Sequence, residues 1–201
     1  EAGGVTIGGL RFNAGVTGSY TLSGGPLTLS GLPIFQLDAP ATISSAIVGT
    51  PGFIKTGAQA LTLTSTNSSF TGDILISQGT LIVNAEQDDY AVDPATSGLG
   101  YLHSPRTITV ENGATLDFHE SDSLGSAGST PLVTINVRNG ATLRNSRTFN
   151  TLGTITSTGG ATSVYQSFEF ADTVTSGGNS SINTQGGSNN GFHLRNNVFA
   201  V

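Results

Sequence analysis

Eight of the chain's 13 acidic residues lie between positions 86 and 122: Glu86, Asp88, Asp89, Asp93, Glu111, Asp117, Glu120 and Asp122. Clustered carboxylates on a loop offer the hard oxygen ligands that calcium takes, which makes Asp88, Asp89 and Asp93 the candidate metal set. Their spacing fits neither an EF-hand loop nor the Gly-rich nonapeptide calcium repeat, so a solvated acidic loop without a cofactor is the expectation. Asp117, Glu120 and Asp122 lie near His119, with His103 upstream and Arg138, Arg144 and Arg147 downstream. Those types could cleave a polysaccharide, with paired carboxylates moving protons and arginines neutralising a uronate. Spacing alone does not join them into a site, and outward-facing surface charges are the simpler expectation. Tyr90, Tyr101 and Phe118 could stack on sugar rings, against a plainer role in the core or as loop anchors. Lys55, the one lysine, could form a Schiff base or act as a base. A solvated corner residue is expected instead. His103, His119 and His193 lack ligand spacing, and no nucleophile elbow, P-loop or dinucleotide fingerprint occurs.

The elements that would position these groups are strands. Charged residues make up 10% of the 201, well below the usual quarter or so, while apolar residues recur in short alternating runs that argue for a folded chain. A net charge of −6 with only seven Lys and Arg leaves no basic stripe for nucleic acid. No apolar stretch approaches the roughly 20 residues of a membrane-spanning helix, so membrane insertion by this segment is not expected. The chain has no Cys, which removes disulfides and thiolate sites. It also has no Met and starts at Glu1, as a portion of a longer, processed polypeptide would.

Runs such as "ALTLTS" (60–65), "DILIS" (73–77), "TLIVN" (80–84), "TITVENGATLDF" (107–118) and "VTINVRNGATLRN" (133–145) alternate apolar with small polar residues and stop at Gly or Asn. That is the period of a strand, and no stretch keeps a helical rhythm. Gly25, Gly57, Gly79, Gly113, Gly140, Gly160 and Gly178 recur at comparable points, several of them about 20 residues apart, as turns of a solenoid would. Asn112-Gly113 and Asn139-Gly140 also suit hairpins, which would build an antiparallel sandwich. Near-constant spacing favours coils, each stacked on the last, because one five-residue strand cannot bury its own apolar face. One solenoid domain over 1–201 is therefore expected, with a loop excursion at 86–106, a shorter one at 119–131 and a thinning of apolar residues over 183–197.

The segment 53–83 resembles the autotransporter-associated β-strand repeat, also called the passenger-associated transport repeat. Gly52, Ile54, Lys55, Gly57, Leu61, Leu63, the "STNSS" bend, Phe70-Thr71-Gly72 and Gly79-Thr80-Leu81 carry the resemblance, with Gln59 where the pattern has Gly and Phe70 where Tyr is usual. It is strong over about 30 residues and moderate over 5–85. The resemblance implies a single-stranded right-handed parallel β-helix in the exported passenger of a bacterial cell-surface protein. It further implies a non-enzymatic structural or adhesive role, extracellular or on the cell surface. Side-by-side or end-to-end self-association and contact with host-surface or matrix glycans are the expected interactions. A carbohydrate-active β-helix and a calcium-stabilised matrix or surface-layer protein are the alternatives.

Overall fold

The computed structural model describes residues 3–15, 17–85, 96–119, 133–138, 141–145, 154–157, 162–163 and 180–184. From the amino end come β1 (Val5–Phe12), β2 (Tyr20–Leu22), β3 (Leu27–Leu37), β4 (Ala41–Ile43), β5 (Ile47–Val48), β6 (Phe53–Thr56), β7 (Leu61–Leu63), β8 (Ile74–Ile76) and β9 (Thr80–Val83). There follow β10 (Thr96–Ser97), β11 (Gly100–Tyr101), β12 (Arg106–Val110), β13 (Thr115–Phe118), β14 (Val133–Val137), β15 (Ala141–Asn145), β16 (Thr154–Ser157), β17 (Thr162–Ser163) and β18 (Ser180–Thr184). All described elements are strands.

The chain shuttles between two sheets. One runs β1-β3-β6-β8-β12-β14-β16-β17 with β5 also on β3, and the other runs β2-β4-β7-β9-β13-β15-β18. Apart from the short pairs β10–β11 and β16–β17, every ladder is parallel. Tyr20 pairs with Ala41, Ala41 with Leu61, and Leu61 with Leu81, so each rung lies on the one about 20 residues before it. Further bonds between rungs, from Ser69 N to Ile47 O (2.9 Å) and from Thr71 N to Gly49 O (3.1 Å), continue through the stretches that lead into β6 and β8. Asn112-Gly113 turns the chain from one sheet to the other rather than closing a hairpin, because β12 and β13 lie in different sheets. Asn139-Gly140 lies outside the described residues.

Alternation decides what is buried. In "LTL" of β7, Leu61 and Leu63 point inward and are fully buried, while Thr62 is half-buried on the outer face. Stacking copies such positions into columns: Leu61, Leu81, Leu116 and Leu143 form one, and Leu63, Val83 and Phe118 another. Each such leucine stabilises the stack by about 2–3 kcal/mol through the apolar area it removes from water. Phe35 stacks on Phe53 at 4.7 Å between ring centroids, and Phe53 tilts against Phe70 at 5.6 Å.

At the corners, backbones approach too closely for side chains. A Cβ on Gly72 would overlap the main chain of Pro51 and Gly52 in the rung before. Gly57 turns with φ +79°, and a Cβ there would press into the carbonyl of Leu37.

The excursion at 86–106 lies partly outside the described residues, as do all of 120–132 and 185–201. Its described end is not detached from the core. Ser97 and Gly100 close a small antiparallel turn whose Leu99 and Leu102 are buried. Arg106 is the first residue of β12 and is buried too.

Candidate functional site

Lys55, Gly57 and Gly79 of the repeat pattern meet at the corner that follows β6. Phe53 and Lys55 occupy alternate positions of "FIKT", so both side chains point inward. Lys55 pairs in register with Phe35 on one side and Ile76 on the other, and the column continues through Val110 to Val137, all of them buried. Its stem crosses this apolar column and its ammonium reaches the corner. There Nζ donates to the carbonyl oxygens of Gly57 (2.7 Å), Gln59 (2.6 Å) and Gln78 (2.8 Å), with Thr56 O further off at 3.4 Å.

Lys55 is therefore not the solvated corner residue that its charge suggests; it is fully buried. Three N–H donors meet three close acceptors, which is what makes a buried ammonium tolerable. Desolvation lowers its pKa from 10.5 to about 8, so the group still holds its proton at pH 7. The nitrogen is buried and turned towards main-chain carbonyls rather than a cleft, an arrangement that favours a structural role over Schiff-base chemistry.

Gln78 and Gly79 complete this corner. Gln78 contributes twice: its carbonyl accepts from Lys55, and its side-chain Oε1 accepts from Gly57 N at 3.2 Å. Gly79 turns with φ +65° directly over Gly57 and Ala58. Gly52 and Gly72 stack at the opposite corner, where Thr71 Oγ1 donates to Thr50 O at 3.3 Å. Leu61, Leu63, Phe70 and Leu81 are core, and Thr80 is half-buried at the start of β9.

The remaining candidates do not gather into one site among the described residues. Asp88, Asp89, Tyr90 and Asp93 lie outside the described residues, as do Glu120, Asp122, Arg147 and His193. Tyr101 is half-buried on β11, its amide donates to Phe70 O at 2.9 Å, and its ring meets His103 edge-on at 5.7 Å. Arg138 is exposed and lies 3.9 Å from Glu111 Oε1. Asp117 corrects the expectation of an outward-facing surface charge. It does sit on the outer face, opposite to Leu116 and Phe118, yet it is buried, with His119 Nε2 at 3.0 Å from Oδ2. Phe118 is core.

Sequence reasoning missed a second buried cation. Arg106 points inward, donates from Nη1 to Phe70 O at 3.2 Å, and lies over the Phe70 ring at 5.0 Å. Its Nε and Nη2 are buried with no hydrogen-bond partner. Burial lowers its pKa to about 10, partly opposed by the charge of Asp73, whose Oδ1 accepts from Thr107 N at 2.7 Å. The signal was the alternation of "RTITV", which places Arg106 on the same face as Ile108 and Val110.

A cavity of about 390 Å³ opens at the amino-terminal end of the stack, between Val5, Ile7, Leu10, Leu22 and Leu27.

Residues 53–83 match the model of the passenger-associated-transport-repeat family, so the resemblance read from the sequence holds for that segment. Over 83 residues, 40% of this chain, the sequence is 40% identical to the adhesin BmaC autotransporter of Brucella suis biovar 1 (strain 1330). That stretch covers 2% of the adhesin's length. No solved structure matches the chain.

Proposed function

We propose that the chain is a segment of an exported autotransporter passenger, a right-handed parallel β-helix acting as a rigid adhesive stalk outside the bacterial cell. The observation that carries this reading is the continuity of the repeat with its flanks. Residues 53–83 match a passenger repeat, and their strands lie inside parallel sheets that extend from β1 to β16 in one and from β2 to β18 in the other. A chain that alternates sheets while each strand pairs with its counterpart one rung away supports reading the rungs as coils. The likeness to an adhesin supports a binding role on the lateral faces, with glycans of a host surface or matrix as the ligand class and Tyr101 as a stacking group. No cofactor is needed, and catalysis is not part of the role.

Self-association belongs to the same reading. Val5, Leu32 and Ile34 are exposed large apolar side chains that a second copy could cover.

The purified chain, immobilised and presented to glycan arrays and matrix-coated surfaces, is expected to bind without altering the glycan. Polysaccharide cleavage that disappears in Asp117→Asn would reject the reading in favour of a carbohydrate-active β-helix. Sedimentation over a range of concentrations tests the self-association.

A further inference from the structure

We infer that the corner formed by Thr56, Gly57, Gln59 and Gln78 is a receptor for a primary ammonium ion, filled from within by Lys55, and that its occupancy fastens two successive rungs together. Gly57 and Gln59 belong to the turn between β6 and β7, whereas Gln78 belongs to the turn between β8 and β9. One nitrogen thus ties both turns, at 2.7, 2.6 and 2.8 Å. Gly79 allows the upper turn to settle on Gly57 with no side chain between them, and Gln78 Oε1 fixes the amide of Gly57.

The receptor is made of carbonyl dipoles alone, since no carboxylate is among the partners of Nζ. Recognition therefore rests on a cation with three N–H bonds directed at three oxygens. A neutral amine makes one N–H bond fewer but escapes the cost of burying a charge. A thioether offers none and leaves the carbonyls buried without donors. Neither rung holds the full set of acceptors. Without the rung of Gln78 the ammonium would be buried with one donor short, so the two rungs gain or lose this seat as a unit.

The test uses the full chain at pH 7. Lys55→Ala removes the stem with the ammonium and leaves room for a small amine, whereas Lys55→Met fills the stem and supplies no donor. Both variants are expected to melt about 10 °C below the parent. Ethylammonium chloride at tens of millimolar is expected to raise the melting temperature of Lys55→Ala by several degrees through binding to the folded form alone. It should leave the parent and Lys55→Met unmoved, as should sodium chloride or ethanol at equal concentration. By hydrogen exchange, amides of Gly57–Gln59 and Gln78–Thr80 should lose protection together in Lys55→Met and regain it together in ethylammonium-loaded Lys55→Ala. Lack of rescue, equal rescue of all three proteins, or separate loss at the two turns would each overturn the inference. Should Lys55→Ala not fold, the circular-dichroism signal on refolding with ethylammonium against sodium chloride decides: recovery supports the receptor, and none overturns it.

Discussion

Lys55 and Arg106 are both inward-facing cations, one in the repeat and one in the rung beyond the segment 86–95, and the structure treats them differently. The lysine brings three donors to a corner, where carbonyls at strand ends are free of the ladder and all three donors are used. The arginine brings five donors to the start of a strand, bonds one carbonyl, leans on an aromatic ring and leaves two nitrogens unpartnered. Whether a parallel stack can bury a charge thus depends on matching donor count to the carbonyls that its corners leave over. The corners themselves differ in the same sense. Gly57 lies against the carbonyl of Leu37, whereas Gly113, with a similar φ of +76°, has open space around it.

The sharpest way to break this contrast is to remove each cation's head and keep its bulk. Lys55→Met should cost about 4 kcal/mol in urea unfolding, because three buried carbonyls lose their donor. Arg106→Met should stay within about 1 kcal/mol of the parent, or exceed it, since the lost bond is offset by relief of two orphaned nitrogens. Equal losses at the two positions would erase the distinction. Next in size, Gly57→Ala should cost about 3 kcal/mol, the sum of strained φ and a backbone collision, against about 1 kcal/mol for Gly113→Ala, where only the φ strain applies. Thermal melts of the two variants measure that gap.

A further effect is electrostatic. The Lys55 ammonium titrates near 8 when folded and near 10.5 when unfolded, so the folded chain sheds this proton first. This group therefore adds stability as pH rises from about 8 to about 10.5 and is neutral below that window. Urea midpoints across pH 7 to 10 should show the rise in the parent and lose it in Lys55→Met.

Much of this was legible. Strand runs, glycine spacing and the repeat pattern foretold parallel stacking, because alternation and turn chemistry are local properties of sequence. The fate of Lys55 was also written in "FIKT": with Phe53 inward, period two puts Lys55 inward, but charge argued for solvent and won. The acceptors that overrule it are main-chain atoms of Gly57, Gln59 and Gln78, and no sequence displays a carbonyl's direction. Asp117 escaped for another reason. It does face outward, but an outer-face position does not measure cover, and the His119 contact is a matter of side-chain geometry.

β9 meets β13 in the same register style as β7 meets β9, Leu81 on Leu116 as Leu61 on Leu81, although far more chain intervenes in the first case. The stack thus keeps count by which strand meets which, not by how much polypeptide lies between. A scaffold with that bookkeeping can admit added chain between one rung and the next while the register of its strands is kept.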